Sequence, residues 1–91
     1  MLPAQKKDDI LINFAGALKT VTKKEIVIEP EEGNDIRFVR SKRTRFLAKD
    51  GKARDELDFR IGDPILVEAF QKLNRELEAV NVHQTVSVEP D

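Results

Sequence analysis

The sequence contains no cysteine, no tryptophan and no tyrosine, and only one histidine. Without cysteine there is no disulfide, no thiolate metal ligand and no thiol nucleophile. Five Phe are the only aromatic rings apart from that histidine. Serine occurs only at Ser41 and Ser87, in neither case beside a histidine and a carboxylate. Walker-type and G-x-G-x-x-G phosphate loops are missing. No apolar run approaches the roughly 20 residues that a membrane-spanning helix needs, so membrane insertion is not expected. The opening Met1-Leu2-Pro3-Ala4-Gln5-Lys6-Lys7 has no apolar stretch of the signal-peptide kind. An excess of one charge is also lacking: 16 Lys and Arg stand against 17 Asp and Glu, a net of −1. Nucleic acid or an anionic bilayer would therefore have to be bound by locally segregated charge.

What is present suits one small domain. The chain has 91 residues, of which 40% are apolar and 36% charged. That is enough apolar material for a modest core, and too little length for two. Residues 1–9 and 86–91 are polar and charged, and read as a flexible arm and tail around a domain over 10–85.

Between these ends, short apolar runs alternate with turn signals. Ile10 to Val21 is rich in branched and aromatic residues and is interrupted by Gly16, which suggests a bulge or bend. Thr22-Lys23-Lys24-Glu25 reads as a turn, Glu25 to Glu29 as a strand and Pro30 to Asp35 as a loop. Ile36 to Val39 is a further strand, followed by Thr44-Arg45-Phe46-Leu47. Asp50-Gly51 is a tight-turn dipeptide. Ala53 to Phe59 fits one helical turn with Leu57 facing inward. Ile61-Gly62-Asp63-Pro64 then starts a new element.

The segment Ile65 to Val82 has two readings. As a helix it places Leu66, Ala69, Phe70, Leu73, Leu77 and Val80 on one stripe, with a Glu68–Lys72 pair. As a hairpin it alternates Ile65, Val67 and Ala69, turns over Lys72-Leu73-Asn74-Arg75 and returns over Leu77 to Val82. Periodicity favours the helix, while the branched residues near both ends favour strands.

Several of these residues carry a resemblance. They are Gly16 with Lys19-Thr20-Val21, Ile26-Val27-Ile28, Glu32-Gly33, Phe38, Thr44-Arg45-Phe46, Leu57, Gly62-Asp63, Val67-Glu68-Ala69 and Ala79-Val80-Asn81-Val82. In this pattern the chain resembles a group of small bacterial domains of unknown function with an OB-like β-barrel, over roughly Ile10 to His83. The resemblance implies that Gly62-Asp63 precedes a hairpin. It also implies no enzyme activity and no cofactor, and an accessory role in exported or envelope proteins beside other modules. One departure is the hairpin turn, which would carry Gly and here reads Leu73-Asn74-Arg75; Asn tolerates the left-handed conformation. An exported or periplasmic location follows if the resemblance holds and a signal peptide has been removed, and a cytoplasmic one otherwise.

The candidate ligand-binding residues are Arg37, Arg40, Lys42, Arg43 and Arg45, which lie close together with no acid among them. On adjacent strands they would form one positive face able to meet phosphates, as basic grooves of OB barrels do. Alternation places Phe38 and Phe46 opposite Arg37 and Arg45, in the core. The competing reading is a solvated face, partly neutralised by Glu29, Glu31 and Glu32. His83 reads as a surface residue without a catalytic or metal partner. The carboxylates at Asp8-Asp9, Glu31-Glu32, Asp55-Glu56-Asp58 and Glu76-Glu78 lack EF-hand spacing and read as solvated charge, with weak cation binding at Asp55 to Asp58 as the alternative. Gly62 and Asp63 read as a structural turn: Gly for positive φ, Asp to bond nearby N–H groups.

The expectation is a mostly-β domain, a small OB-like or SH3-like barrel of five or six strands with one short helical turn. The alternative is α+β, with a helix over Ile65 to Val82. The expected function is a non-catalytic interaction module for a protein or a neighbouring domain of its parent chain, with no cofactor and no metal. The alternative is a nucleic-acid-binding barrel that uses the Arg37 to Arg45 face.

Overall fold

Alternating in–out patterning dominates residues 11–85, the part of the chain that the computed structural model describes. The expected arm and tail, with Asp8-Asp9, lie outside the described residues. Six strands form: β1 (Ile12–Val21), β2 (Glu25–Glu29), β3 (Ile36–Val39), β4 (Arg45–Leu47), β5 (Pro64–Gln71) and β6 (Leu77–Gln84). They make one sheet in the order β3-β2-β1-β5-β6-β4. A parallel pairing of β3 with β6 at Val39 and Glu78 brings the sheet round on itself as a barrel. Its other neighbouring pairs are antiparallel, except that β4 runs parallel to β6.

The interior follows from the period of two. Ile26 and Ile28 of β2, Phe38 of β3, and Ile65, Val67 and Ala69 of β5 are all buried. Leu18, Phe46, Phe59, Ala79 and Val82 complete the cluster. Two edge-to-face ring pairs brace it: Phe14 with Phe38 at 5.3 Å and Phe46 with Phe59 at 5.2 Å between centroids.

The long strand β1 serves two neighbours. It pairs with β5 from Ile12 to Ala17 and with β2 from Ala17 to Val21. Gly16 lies where one partner gives way to the other. A Cβ there would stand 2.7 Å from the Glu29 carbonyl oxygen, so close approach of β2 requires glycine. Of the bulge or bend expected at Gly16, the bulge lies further along: the register shift in β1 falls between Leu18 and Thr20.

Residues Ile65 to Val82 form a hairpin, and the helical alternative does not occur. β5 and β6 pair antiparallel from Ile65 and Gln84 to Gln71 and Leu77. The Lys72 N–H donates to the Glu76 carbonyl, and the Arg75 N–H to the Lys72 carbonyl. The left-handed residue of the turn is Arg75, at φ 74°, in place of the expected Asn74. Asn74 instead accepts from the Glu76 N–H through its side chain. In β6 the register shifts between the partners of Glu68 and Ala69, leaving Val80 as the extra residue.

β3 and β4 lie one after the other along the same edge of β6, Val39 against Glu78 and then Arg45 to Leu47 against Asn81 to His83. Residues 40–44 leave the wall between them. Ser41 and Thr44 tie this excursion down, their hydroxyls donating to Glu78 Oε2 and to the Ala79 carbonyl. The short helical turn is a 3-10 turn at Glu56–Asp58. Leu57 within it is 82% exposed, contrary to the inward expectation. The buried residue of that segment is Phe59, because three residues of 3-10 helix turn Leu57 outward and hand the chain to Phe59 in extended backbone.

Candidate functional site

The five basic residues occupy different surroundings. Arg37, outward on β3, lies with its Nε 3.2 Å from Glu25 Oε1. Arg40 turns inward, with only 15% of its side chain exposed. Its guanidinium donates to the Thr22 carbonyl at 2.6 Å and to Glu56 at 2.7 Å, and stacks over Phe46 at 4.9 Å. Held in this way, it has little left to offer a ligand. Lys42, Arg43 and Arg45 are exposed. Arg43 Nε lies 3.5 Å from Glu78 Oε2, while 63% of the side chain faces solvent. Neither Lys42 nor Arg45 has a carboxylate within 4.0 Å among the described residues. The acids that meet arginines of this stretch are Glu25, Glu56 and Glu78, and Glu29, Glu31 and Glu32 are not among them.

Arg43 and Arg45 border a cleft of about 300 Å³ whose other walls are Leu11, Phe70, Val80 and Asn81. Strand register assembles it. Glu68 of β5 stands opposite Asn13 of β1 and Asn81 of β6, and Asn81 stands opposite Arg45 of β4. This gives a polar row across four strands on the outer face. Asn81 donates through its side-chain nitrogen to Glu68 Oε1 at 2.8 Å, and His83 Nε2 lies 3.2 Å from the same oxygen. Hydrogen bonds from Asn81 and then from His83 hold the Glu68 carboxyl below its usual 4.5, against a smaller opposing effect of burial. Glu68 thus fixes Asn81 at the cleft wall and engages the only histidine.

Phe70 is the one ring of the five that neither belongs to the buried cluster nor packs against it, and it lies partly exposed between two hollows. One is the cleft with Arg43 and Arg45; the other is bounded by Gln71, Lys72, Leu73 and Asn74. Leu73, at the hairpin tip, is fully exposed. Neither Phe70 nor Asn81 stands out in the sequence. The signal for Phe70 is the alternation of β5: once Ile65, Val67 and Ala69 point inward, Leu66, Glu68 and Phe70 must point out. Asn81 has no such signal, because the bulge at Val80 breaks the alternation of β6.

Gly62 has φ 98° and its N–H donates to the Leu18 carbonyl; the Leu18 N–H donates to the Asp63 carbonyl. The Asp63 carboxylate accepts from the Arg60 N–H at 3.0 Å. These contacts anchor the entry to β5 against β1. In the segment Asp55 to Asp58, Asp55 accepts from the Leu57 N–H, Glu56 meets Arg40 and Asp58 lies 3.5 Å from Arg54. Among the described residues no three His, Asp or Glu side chains gather as metal ligands would. No described helix is long and apolar enough to cross a membrane.

No family model, curated protein or solved structure matches the chain.

Proposed function

We propose that this chain is a non-catalytic interaction module on an OB-like barrel, docking a protein partner or a neighbouring domain through the outer face of β4, β6 and β5. The observation that carries the reading is the position of Phe70. A large ring left partly exposed, beside a cleft with apolar walls and a cationic rim, is the anatomy of a docking surface. The OB-like assignment is supported by the cyclic order β1-β2-β3-β6-β5, closed at a single bridge as in a partly open five-stranded barrel. A place beside other modules in an exported bacterial protein is the further part of the proposal, and rests on the sequence resemblance. The non-catalytic reading is supported by the pairing of the reactive groups. His83 is held by Glu68, and the Ser41 hydroxyl by Glu78 at 2.6 Å, on separate pairs.

Nucleic acid is the weaker reading. Arg40 is engaged, and Arg37 pairs with Glu25 at a different hollow, which leaves Lys42, Arg45 and Arg43, the last itself beside Glu78. Binding driven by phosphate contacts scales with their number, and three cations give a shallow salt dependence and low affinity.

The test has two arms on the full chain: selection of ligands from a random peptide library, mapped by amide chemical shifts, and a salt-dependent gel shift with single-stranded oligonucleotides. Selected peptides are expected to shift Phe70, Val80 and Asn81, with no oligonucleotide retarded at about 0.15 M salt. An oligonucleotide shift abolished by Arg43→Glu and Arg45→Glu together replaces the proposal with nucleic-acid binding. A library that yields no ligand for this face overturns it.

A further inference from the structure

We infer that the cleft between β4, β6 and β5 takes a peptide segment that presents a carboxylate next to a large apolar side chain, an inference that rests on the interaction-module reading. The Arg45 guanidinium is exposed at the rim and meets no carboxylate among the described residues. Arg43 stands beside it, positioned through Nε by Glu78, a buried carboxylate itself held by Ser41 at 2.6 Å. A planar, permanently charged fork of donors suits a carboxylate better than any other common group on a protein surface. The remaining wall is apolar: Leu11, Val80 and the exposed part of Phe70. A volume of about 300 Å³ lies at the low end for ligand sites, enough for one or two side chains and too small for most cofactors. Asn81 sits between the charged and apolar walls. Its side-chain nitrogen is committed to Glu68, which leaves its carbonyl oxygen to accept a peptide N–H.

Charge complementarity decides among occupants. A polyanion needs a longer cationic track than these two arginines and Lys42 provide. A cationic segment would face Arg43 and Arg45 directly. An uncharged apolar segment would leave the Arg45 guanidinium without a carboxylate, and Arg43 with Glu78 alone, at the edge of a desolvated contact.

The carboxylate has two sources, an Asp or Glu side chain or a chain terminus. Two fluorescein-labelled octapeptides separate them, one with an internal Leu-Glu pair and an amidated end, the other ending in Leu with a free carboxylate. Each is titrated by anisotropy into the full chain, beside its Gln or amide analogue. At least one acidic peptide is expected to bind at least about tenfold more tightly than its neutral analogue. Arg45→Glu and Phe70→Ala are each expected to weaken it by about tenfold or more, and Arg37→Glu to leave it unchanged. Amide spectra of the variants confirm that they remain folded. Equal binding of the neutral analogues, or indifference to Arg45→Glu, overturns the inference. Should neither acidic peptide bind while library-selected peptides still shift Phe70, the carboxylate is wrong and the module reading stands. Should the selected peptides fail too, both fall.

Discussion

At the scale of single residues, the surface polar groups of this protein are mostly spent on one another. Glu68 is the clearest case, because its carboxylate accepts from Asn81 and lies 3.2 Å from His83. With its protonation made harder in the folded state, the unfolded chain takes up the proton first. The stabilisation is therefore complete above the usual carboxyl range and is lost as pH falls through the lower folded value. Denaturant midpoints of the protein and of Glu68→Gln, compared from about pH 7 to about pH 3, are expected to differ most at the neutral end and converge in acid. A difference that stays constant with pH sinks this account. Other residues show why the site was only half legible in the sequence. The burial of Phe38 and Phe46 followed from alternation. The fate of Arg40 did not, because its partners Thr22 and Glu56 come from distant parts of the chain. Five cations in one stretch look alike as letters, and only the barrel divides them into one half-buried and paired, two paired at the surface and two without a carboxylate among the described residues.

At the scale of elements, the β5–β6 hairpin presented the central conflict. Its helical stripe and its strand alternation share residues, and local pattern ranked the helix first. The hairpin wins because Ile65, Val67, Ala69, Ala79 and Val82 meet the same interior as Ile26, Ile28 and Phe38. A helix would have buried Leu73, which is instead fully exposed at the turn. The turn carries a local cost, since Arg75 adopts φ 74°, a conformation that side chains with a Cβ disfavour. Arg75→Gly is expected to stabilise the protein by about 0.5–1 kcal/mol, the relief at the turn exceeding the added flexibility of the unfolded chain. Thermal melts followed by far-UV circular dichroism measure this, and a lowered melting temperature counts against it. The 3-10 turn at Glu56–Asp58 shows the limit of such reading. Its existence was visible in the sequence, but the inward residue was Phe59 and not Leu57, because one residue of phase decides the side in so short a turn.

At the scale of the whole molecule, the barrel is unevenly sewn. β5 is paired on both edges from Ile65 to Ala69, with β1 on one side and β6 on the other, whereas β3 meets β6 at a single bridge. Local opening should begin where ladder bonds are fewest. Amide hydrogen exchange is expected to be slowest at Ile65, Val67 and Ala69 and much faster across residues 40–47. Uniform protection around the ring contradicts this picture. The turns and most strand positions were legible in the sequence. A barrel was expected, but not which strands close it, because a parallel contact between β3 and β6 joins segments far apart in the chain and leaves no local pattern.

The interruption between β3 and β4 has a mechanical consequence. The two short strands act as one stave with a break in it, and Arg43 and Arg45 stand at and just beyond that break, while Val80 and Asn81 belong to the unbroken stave alongside. A ligand in the cleft would tie Arg43 in the break and Arg45 beyond it to Val80 and Asn81 on the neighbouring stave, so its grip would add to the resistance of this wall against being pried apart. Occupancy and toughness are then the same quantity seen from two sides, and a rise in melting temperature with added ligand reports on both.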